Sequence, residues 1–183
     1  MPLDIRDFDG IDRLGAAIHE RWQKLDILVG NAGVLGKLTP LPHLDPKVWT
    51  EALEVNLTAN FRLIRAMDPL LRASEHGRAI FVTSGLAQKC WAYWGTYSIS
   101  KAALEAMVKT YAAEMATTAM RINCFSPGPT CTNMRAKAMP GEDPMTLPTA
   151  TDVSAQMIEM CLPSFTGNGS VFKYAAEGLF KQF

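Results

Sequence analysis

The stretch Arg78-Ala-Ile-Phe-Val-Thr-Ser84 decides the fold of this chain. A short apolar run that ends in polar residues is typical of a strand buried on both faces of a sheet. An alanine-rich run over residues 96–117 follows it and favours a long helix. The apolar run over residues 120–125 then predicts a further strand. Strands that alternate with helices predict a parallel sheet covered by helices on both faces.

The same alternation continues along the rest of the chain. An amphipathic helix is predicted over residues 8–24 with Asp9 as its cap, and a second helix begins at Pro46 behind the capping residue Asp45. This second helix is expected to run to about Arg72. The remaining predicted segments are a strand at 26–30, loops at 31–46 and 85–95, an irregular stretch at 130–149, a helix from Asp152 to about Cys161 and a last strand at 170–175. We therefore expect one α/β domain over residues 1–183, with a doubly wound parallel sheet.

Composition excludes several classes of function. The 18 basic residues equal the 18 acidic ones, so the chain offers no basic stripe for nucleic acid and no polybasic membrane patch. No apolar run reaches the 18 residues or so that a membrane span needs, and the charged start is unlike a secretory signal. The four cysteines and three histidines lack the spacing of a metal site. These features predict a cytoplasmic protein without a metal.

Tyr97 and Lys101 are the residues that most directly indicate chemistry. They are four residues apart on the predicted helix, so they share one helical face. A nearby ammonium lowers the pKa of a phenol, which makes it usable as an acid or base near neutral pH. Ser84, at the end of the preceding strand, is placed to hold a substrate oxygen while the proton moves. Taken alone, Tyr97 would more often serve packing, and Ser84 would more often be a turn residue or a helix cap.

In combination, these residues resemble the short-chain dehydrogenase/reductase family. Tyr97-Ser-Ile-Ser-Lys101 matches the YxxxK motif of that family, and Ser84 lies at the usual distance from it. Asn56, in Glu54-Val-Asn-Leu57, matches the asparagine of the catalytic tetrad, although a satisfied polar group within a helix is the alternative. Over residues 123–144 the chain most resembles a proteobacterial branch that includes YciK-type oxidoreductases.

The same resemblance implies a cofactor site. The run Asn31-Ala-Gly33 looks like the family's NNAG segment, with Gly30 replacing the first asparagine, and Asp4-Ile5 resembles the pair that lines the adenine pocket. By the same resemblance, Tyr97 and Lys101 would also contact the cofactor. The segment after the third predicted strand looks like the family's cofactor-binding segment, with Pro127, Gly128, Thr130 and Thr132 as cofactor-binding residues. There Thr132 would bond the nicotinamide carboxamide beside the backbone of Thr130.

The resemblance implies a Rossmann-like fold and hydride transfer between a carbonyl and a secondary alcohol, with NAD or NADP as cofactor. Tyr97 would be the general acid in reduction and the base in oxidation, while Lys101 would lower its pKa and bind the nicotinamide ribose. Ser84 would orient the carbonyl, and Asn56 would hold a water molecule in the proton relay. The substrate would be a small carbonyl compound or alcohol.

The family's glycine-rich TGxxxGxG turn does not occur in this sequence. We hypothesise that the chain is N-terminally truncated, a fragment or a misassigned start that lacks two strand–helix units of about 30 residues each. The run at 27–29 would then be an exposed sheet edge, and the segment at 3–5 would be cut off from the sheet. The preference between NAD and NADP cannot be determined from this sequence. A non-catalytic Rossmann-like remnant or binding module is the alternative function.

Two further features concern substrate and assembly. The loop that carries Trp91, Tyr93 and Trp94 and the later loop with Met134, Met139 and Met145 either line an apolar pocket or pack only among themselves. The helix over residues 96–117 has apolar or small residues on more than one face. By the resemblance it would pair subunits into a homodimer or homotetramer. A simply solvated face is the alternative.

Overall fold

The computed structural model describes the backbone of residues 2–182 and the side chains of residues 2–179. Elements follow one another along the chain much as the alternation predicts. They are helix α1 (Phe8–Trp22), strand β1 (Ile27–Gly30), helices α2 (Pro46–Leu53) and α3 (Ala59–Arg72), strand β2 (Arg78–Val82), helices α4 (Leu86–Lys89) and α5 (Gly95–Glu114), strand β3 (Arg121–Ser126), helices α6 (Asn133–Ala138) and α7 (Ala150–Glu159), and strands β4 (Val171–Lys173) and β5 (Phe180–Gln182).

Within the described residues, the strands form one sheet in the order β1-β2-β3-β4-β5. β1 to β4 are parallel, which confirms the predicted α/β fold, whereas β5 runs antiparallel to β4. The prediction that the strand near 170–175 is the last one was therefore wrong. Residues 174–179 turn the chain back so that β5 pairs along the outer side of β4.

The core is divided between the two faces of the sheet. On one face, Phe81 and Ile122 pack with buried residues of α1, α3 and α5, including Leu104. On the other face, Ile80 and Phe125 pack against Val153 of α7. Neighbouring residues along β2 thus enter opposite cores, as the two-residue period of a strand requires. Helices cover both faces, as predicted.

The structure corrects several predicted boundaries. Asp7 rather than Asp9 caps α1, because the Asp7 carboxylate accepts a hydrogen bond from the Gly10 amide. Asp45 caps α2 as predicted. The predicted loop at 85–95 contains the short helix α4, and the irregular stretch at 130–149 contains α6. Both helices are only one or two turns long, too short to produce a recognisable apolar period.

One correction bears on function: the predicted helix from Pro46 to Arg72 is not regular throughout. A π-helical turn over Glu54–Thr58 separates α2 from α3. Such turns add one residue per turn and occur frequently at functional sites. This one contains Asn56, whose side chain it turns into the interior.

β1 is the edge strand of the sheet in the part of the chain that the structure describes. Its residue Ile27 is 44% exposed, as the predicted open edge requires. Residues 3–5 form no strand, and Leu3 and Ile5 pack partly against the core beside α1. Among the described helices, none is long and apolar enough to span a bilayer.

Candidate active site

A cleft of about 910 Å³ lies where the parallel strands end. It is lined by the segments that follow β1, β2 and β3, which all leave the sheet at the same edge. In parallel sheets this edge is where ligands bind. Of the predicted site residues, those that line it are Asn31, Ala32, Gly33, Ser84, Tyr97, Lys101, Pro127, Gly128, Thr130 and Thr132.

Tyr97 lies in the first turn of α5, where Trp94 packs against its ring at 6.1 Å between ring centres. Ser84 follows β2 and lines the same cleft as Tyr97. Burial raises the pKa of Tyr97, and the nearby Ser84 hydroxyl opposes that rise only in part. The predicted lowering of the Tyr97 pKa by Lys101 is not found in this structure. The Lys101 ammonium is instead engaged elsewhere.

Lys101 is buried, with 3% of its surface exposed. Its Nζ donates a hydrogen bond of 2.7 Å to the Val82 carbonyl, at the end of β2, and lies 5.8 Å from the centre of the Tyr97 ring. Burial disfavours the ammonium form and lowers the pKa of Lys101 to about 8. A side chain that loses its proton around pH 8 is therefore held 5.8 Å from the centre of the Tyr97 ring.

Asn56 is fully buried and does not line the cleft. Its Oδ1 accepts a hydrogen bond of 2.8 Å from the Val34 amide, and its Nδ2 donates to the Val34 carbonyl and to Ser100 Oγ, both at 2.9 Å. The amide group thus fixes the loop after β1 to helix α5. The predicted role of Asn56 in holding a water molecule stays a prediction.

The segments after β1 and β3 bring the backbone close to the cleft. A Cβ on Gly33 would lie 3.5 Å from Lys101 Nζ, an ordinary van der Waals contact, so the glycine leaves bare backbone beside the ammonium. Gly128 has φ +69°, a left-handed conformation that favours glycine, and no atom lies within 4 Å of where its Cβ would be. Thr132 caps α6 through a hydrogen bond of 3.2 Å from the Arg135 amide, and its hydroxyl donates to the Thr130 carbonyl.

Asp4 and Ile5 are not brought to the cleft. The Asp4 carboxylate forms an exposed ion pair with Arg6 at 3.1 Å, which holds the pKa of Asp4 below its usual value. Ile5 packs partly against the core. Their predicted contact with an adenine ring stays a prediction.

Only some of the aromatic and methionine residues of the two predicted substrate loops line the cleft. Trp91, Trp94 and Met134 line the cleft, whereas Tyr93 is 60% exposed and Met145 is 88% exposed, both outside it. Met139 is also absent from the lining. Trp91 and Trp94 meet edge to face at 6.3 Å, so one wall of the cleft is aromatic.

A protein-family model described as short chain dehydrogenase matches residues 1–143, a span that holds Asn56, Ser84, Tyr97 and Lys101. This chain belongs to the short-chain dehydrogenase family. The oxidoreductase YciK of Escherichia coli K12, itself described as uncharacterized, is 38% identical to it over 145 residues. The match covers 79% of this chain and 57% of YciK.

Solved structures show the same architecture. A short chain dehydrogenase from Salmonella enterica serovar Typhi superposes with a TM-score of 0.91 at 34% identity, covering 94% of this chain and 72% of the other chain. One from Escherichia coli CFT073, solved in complex with NADPH, gives a TM-score of 0.89 at 35% identity, with coverages of 93% and 72%. The chain spans little more than half the length of its relative YciK.

Several residues that line the cleft were not predicted from the sequence. Lys89 ends α4, Lys173 ends β4, and Arg135 lies in α6. Ligands bind at the carboxyl ends of parallel strands. The predicted strand at 170–175 could therefore have indicated that Lys173 lies at the cleft. Lys89 and Arg135 lie in the two short helices that were predicted as loop or irregular chain.

Proposed function

We propose that this chain is the catalytic part of an oxidoreductase that interconverts a carbonyl and a secondary alcohol, with NAD or NADP as cofactor. The observation that carries the proposal is the convergence of Tyr97, Ser84 and Lys101 in one cleft at the carboxyl edge of the sheet. Membership of the family supports it, as do the relatives solved with NADP and NADPH.

The lining fits a nicotinamide cofactor. Gly33 and Gly128 leave the backbone open at the ends of β1 and β3, where a bulky ring needs close approach. Asn31 to Gly33 would face one side of the bound cofactor, and Pro127, Gly128, Thr130 and Thr132 would hold its carboxamide end. When bound, the cofactor supplies or accepts the hydride.

The chain's own residues handle the proton. In reduction, the Tyr97 hydroxyl gives its proton to the carbonyl oxygen of the substrate; in oxidation, the phenolate takes the proton of the alcohol. Ser84 donates a hydrogen bond to the same substrate oxygen. With the cofactor bound, Lys101 would provide a cation near the developing phenolate and would bind the ribose hydroxyls. Asn56 holds the loop after β1 in place, and its water-binding role is carried over from the family.

Replacing Tyr97 with Phe tests the proposal. The chain is mixed with NADPH or NADH and a panel of ketones, and the loss of cofactor absorbance is followed. We expect Tyr97→Phe to lower the rate by about a hundredfold or more, because it removes the proton donor, while the fluorescence change on NADPH binding stays. A variant with unchanged turnover would overturn the assigned role. Tyr93→Phe, on the exposed loop, is the matched control.

The alternative is a Rossmann-like remnant or binding module without catalysis, and the exposed edge strand β1 of the described sheet is the observation that favours it. If so, the chain should neither raise NADPH fluorescence nor gain thermal stability from it. An in-frame glycine-rich coding stretch directly upstream would identify the chain as part of a longer enzyme. Binding in the micromolar range with turnover would refute this alternative. The homodimer or homotetramer and the cytoplasmic location stay predictions.

A further inference from the structure

The charged side chains that line the cleft are all basic. They are Lys89, Lys101, Arg135 and Lys173, and no carboxylate is among the lining residues that the structure describes. Arg135 is neutralised by Glu142, with its Nε and a terminal nitrogen each 2.6 Å from a carboxylate oxygen. Lys101 is buried beside Tyr97 and belongs to the proton machinery. Lys89 and Lys173 therefore remain with unneutralised charge.

These two lysines have no acidic partner among the described residues. No carboxylate lies within ion-pair distance of either one; Lys89 Nζ lies 5.8 Å from the centre of the Trp91 ring. Lys173 is paired in the sheet register with Ser126. Ser126 Oγ is buried and has no hydrogen-bond partner, and the residue lines the same cleft.

The lysines lie apart from the elements that would hold the cofactor. Predicted cofactor contacts within the cleft come from the segments after β1 and β3 and from α5, whereas Lys89 is on α4 and Lys173 is on β4. The remaining wall near them is apolar, with Trp91, Trp94 and Met157. We infer that this cleft selects carbonyl or alcohol substrates that carry an anionic group on an apolar body, with Lys89 and Lys173 as the residues that recognise the anion. Since it names the substrate class of that reaction, this inference rests on the proposed function.

A matched pair of ligands tests the inference without requiring turnover. Phenylglyoxylate is an anionic keto acid, and its methyl ester is a neutral compound of nearly the same shape. Binding of each to the full chain is measured by isothermal titration at millimolar ligand, without cofactor. We expect the anion to bind several-fold more tightly, and the difference to shrink as salt is added, because salt screens exposed charges.

Charge-removing variants identify the residues responsible. Lys89→Gln and Lys173→Gln should each lower affinity for phenylglyoxylate by about 1.5- to fivefold, the range for exposed charge pairs, and leave the ester unaffected. Lys137→Gln is the matched control: it removes one positive charge from α6, whose Lys137 is exposed and does not line the cleft. We expect no specific loss from it.

Several results would overturn the inference. Equal binding of anion and ester would do so, as would absence of measurable binding of phenylglyoxylate, or a loss in Lys137→Gln as large as in the two cleft variants. If the lysines served the cofactor's phosphates, both variants would weaken NADPH binding and keep the preference for the anion. Because binding is read directly, a chain that prefers the anion yet never turns over would contradict the proposed function and leave the anion site standing.

Discussion

Lys101 carries its amino group in a buried environment that disfavours the charged form. Burial lowers its pKa from the ordinary 10.5 to about 8. Near neutral pH the side chain is protonated in both states, and keeping the ammonium buried costs about 3 kcal/mol, since one pKa unit is worth about 1.36 kcal/mol. Between pH 8 and 10.5 the unfolded chain binds more protons than the folded one, so this cost is relieved as pH rises. The role proposed for Lys101 therefore comes at a cost in stability.

Replacing Lys101 with Met should stabilise the fold at pH 7 by about 1–3 kcal/mol, because the buried charge is removed and the apolar stem is kept. Turnover and cofactor binding should fall. Urea unfolding at pH 7 and at pH 10 measures the effect, and the advantage of Lys101→Met should shrink at the higher pH. Lys109→Met, at an exposed position of the same helix, is the control. An advantage that does not change with pH would contradict this account.

At the scale of elements, β1 and α3 fit together through Gly30 and Asn60. Asn60 is 3% exposed, and its Nδ2 donates a hydrogen bond of 2.9 Å to the Asn56 carbonyl within the π-helical turn. A Cβ on Gly30 would overlap Asn60 Oδ1 and come within 2.5 Å of the Phe81 ring. The glycine that replaces the family's first asparagine thus makes room for an asparagine from the neighbouring helix.

Gly30→Ala should destabilise the protein by about 1–3 kcal/mol, the usual cost of overpacking a core. In the Asn60→Ala background the cost should fall, because the clashing oxygen is gone; the two changes form a double-mutant cycle measured by urea unfolding. Gly141→Ala is the control, since no atom lies within 4 Å of its Cβ position. Strictly additive effects of Gly30→Ala and Asn60→Ala would show that the two positions do not interact.

Arg78 joins β2 to the segment between α7 and β4. Its buried guanidinium donates to the carbonyls of Leu162 and Pro163, at 3.3 and 2.9 Å, and to three further carbonyls. Lysine keeps the charge but has no planar fork that reaches several acceptors. Arg78→Lys should therefore cost about 1–3 kcal/mol, because buried carbonyls lose their donors. Thermal unfolding measures it, with the exposed Arg65→Lys as control; equal melting temperatures would contradict the role.

At the scale of the whole molecule, the sequence predicts those features that depend on the local pattern of residues. Ser84 and Tyr97 were correctly placed together in one cleft, because strand ends meet at one edge and helical spacing is regular. The π-helical turn at Asn56, the space shared by Gly30 and Asn60, and the approach of Lys89 and Lys173 to the cleft were not predicted. Each of these features depends on how separate elements pack in three dimensions. The spacing of residues along the sequence does not specify that packing.

Two exposed apolar positions lead to different predictions of how copies of this chain associate. Ile27, 44% exposed, lies on the open edge strand β1, and Ile99, 39% exposed, lies on α5. An open edge pairs with further strands without a natural limit, whereas a helix face closes into a defined dimer. If α5 forms the predicted interface, Ile99→Lys should yield monomers, because a charge would be buried at the contact.

Ile27→Lys is the matched variant and should suppress only concentration-dependent aggregation, since lysine on an edge strand blocks further pairing. Analytical ultracentrifugation over a range of concentrations distinguishes the two surfaces. We expect a discrete dimer or tetramer in the wild-type chain and in Ile27→Lys, and a monomer in Ile99→Lys. A wild-type chain that is monomeric, or a defined oligomer that survives Ile99→Lys, would show that α5 does not pair subunits in this protein.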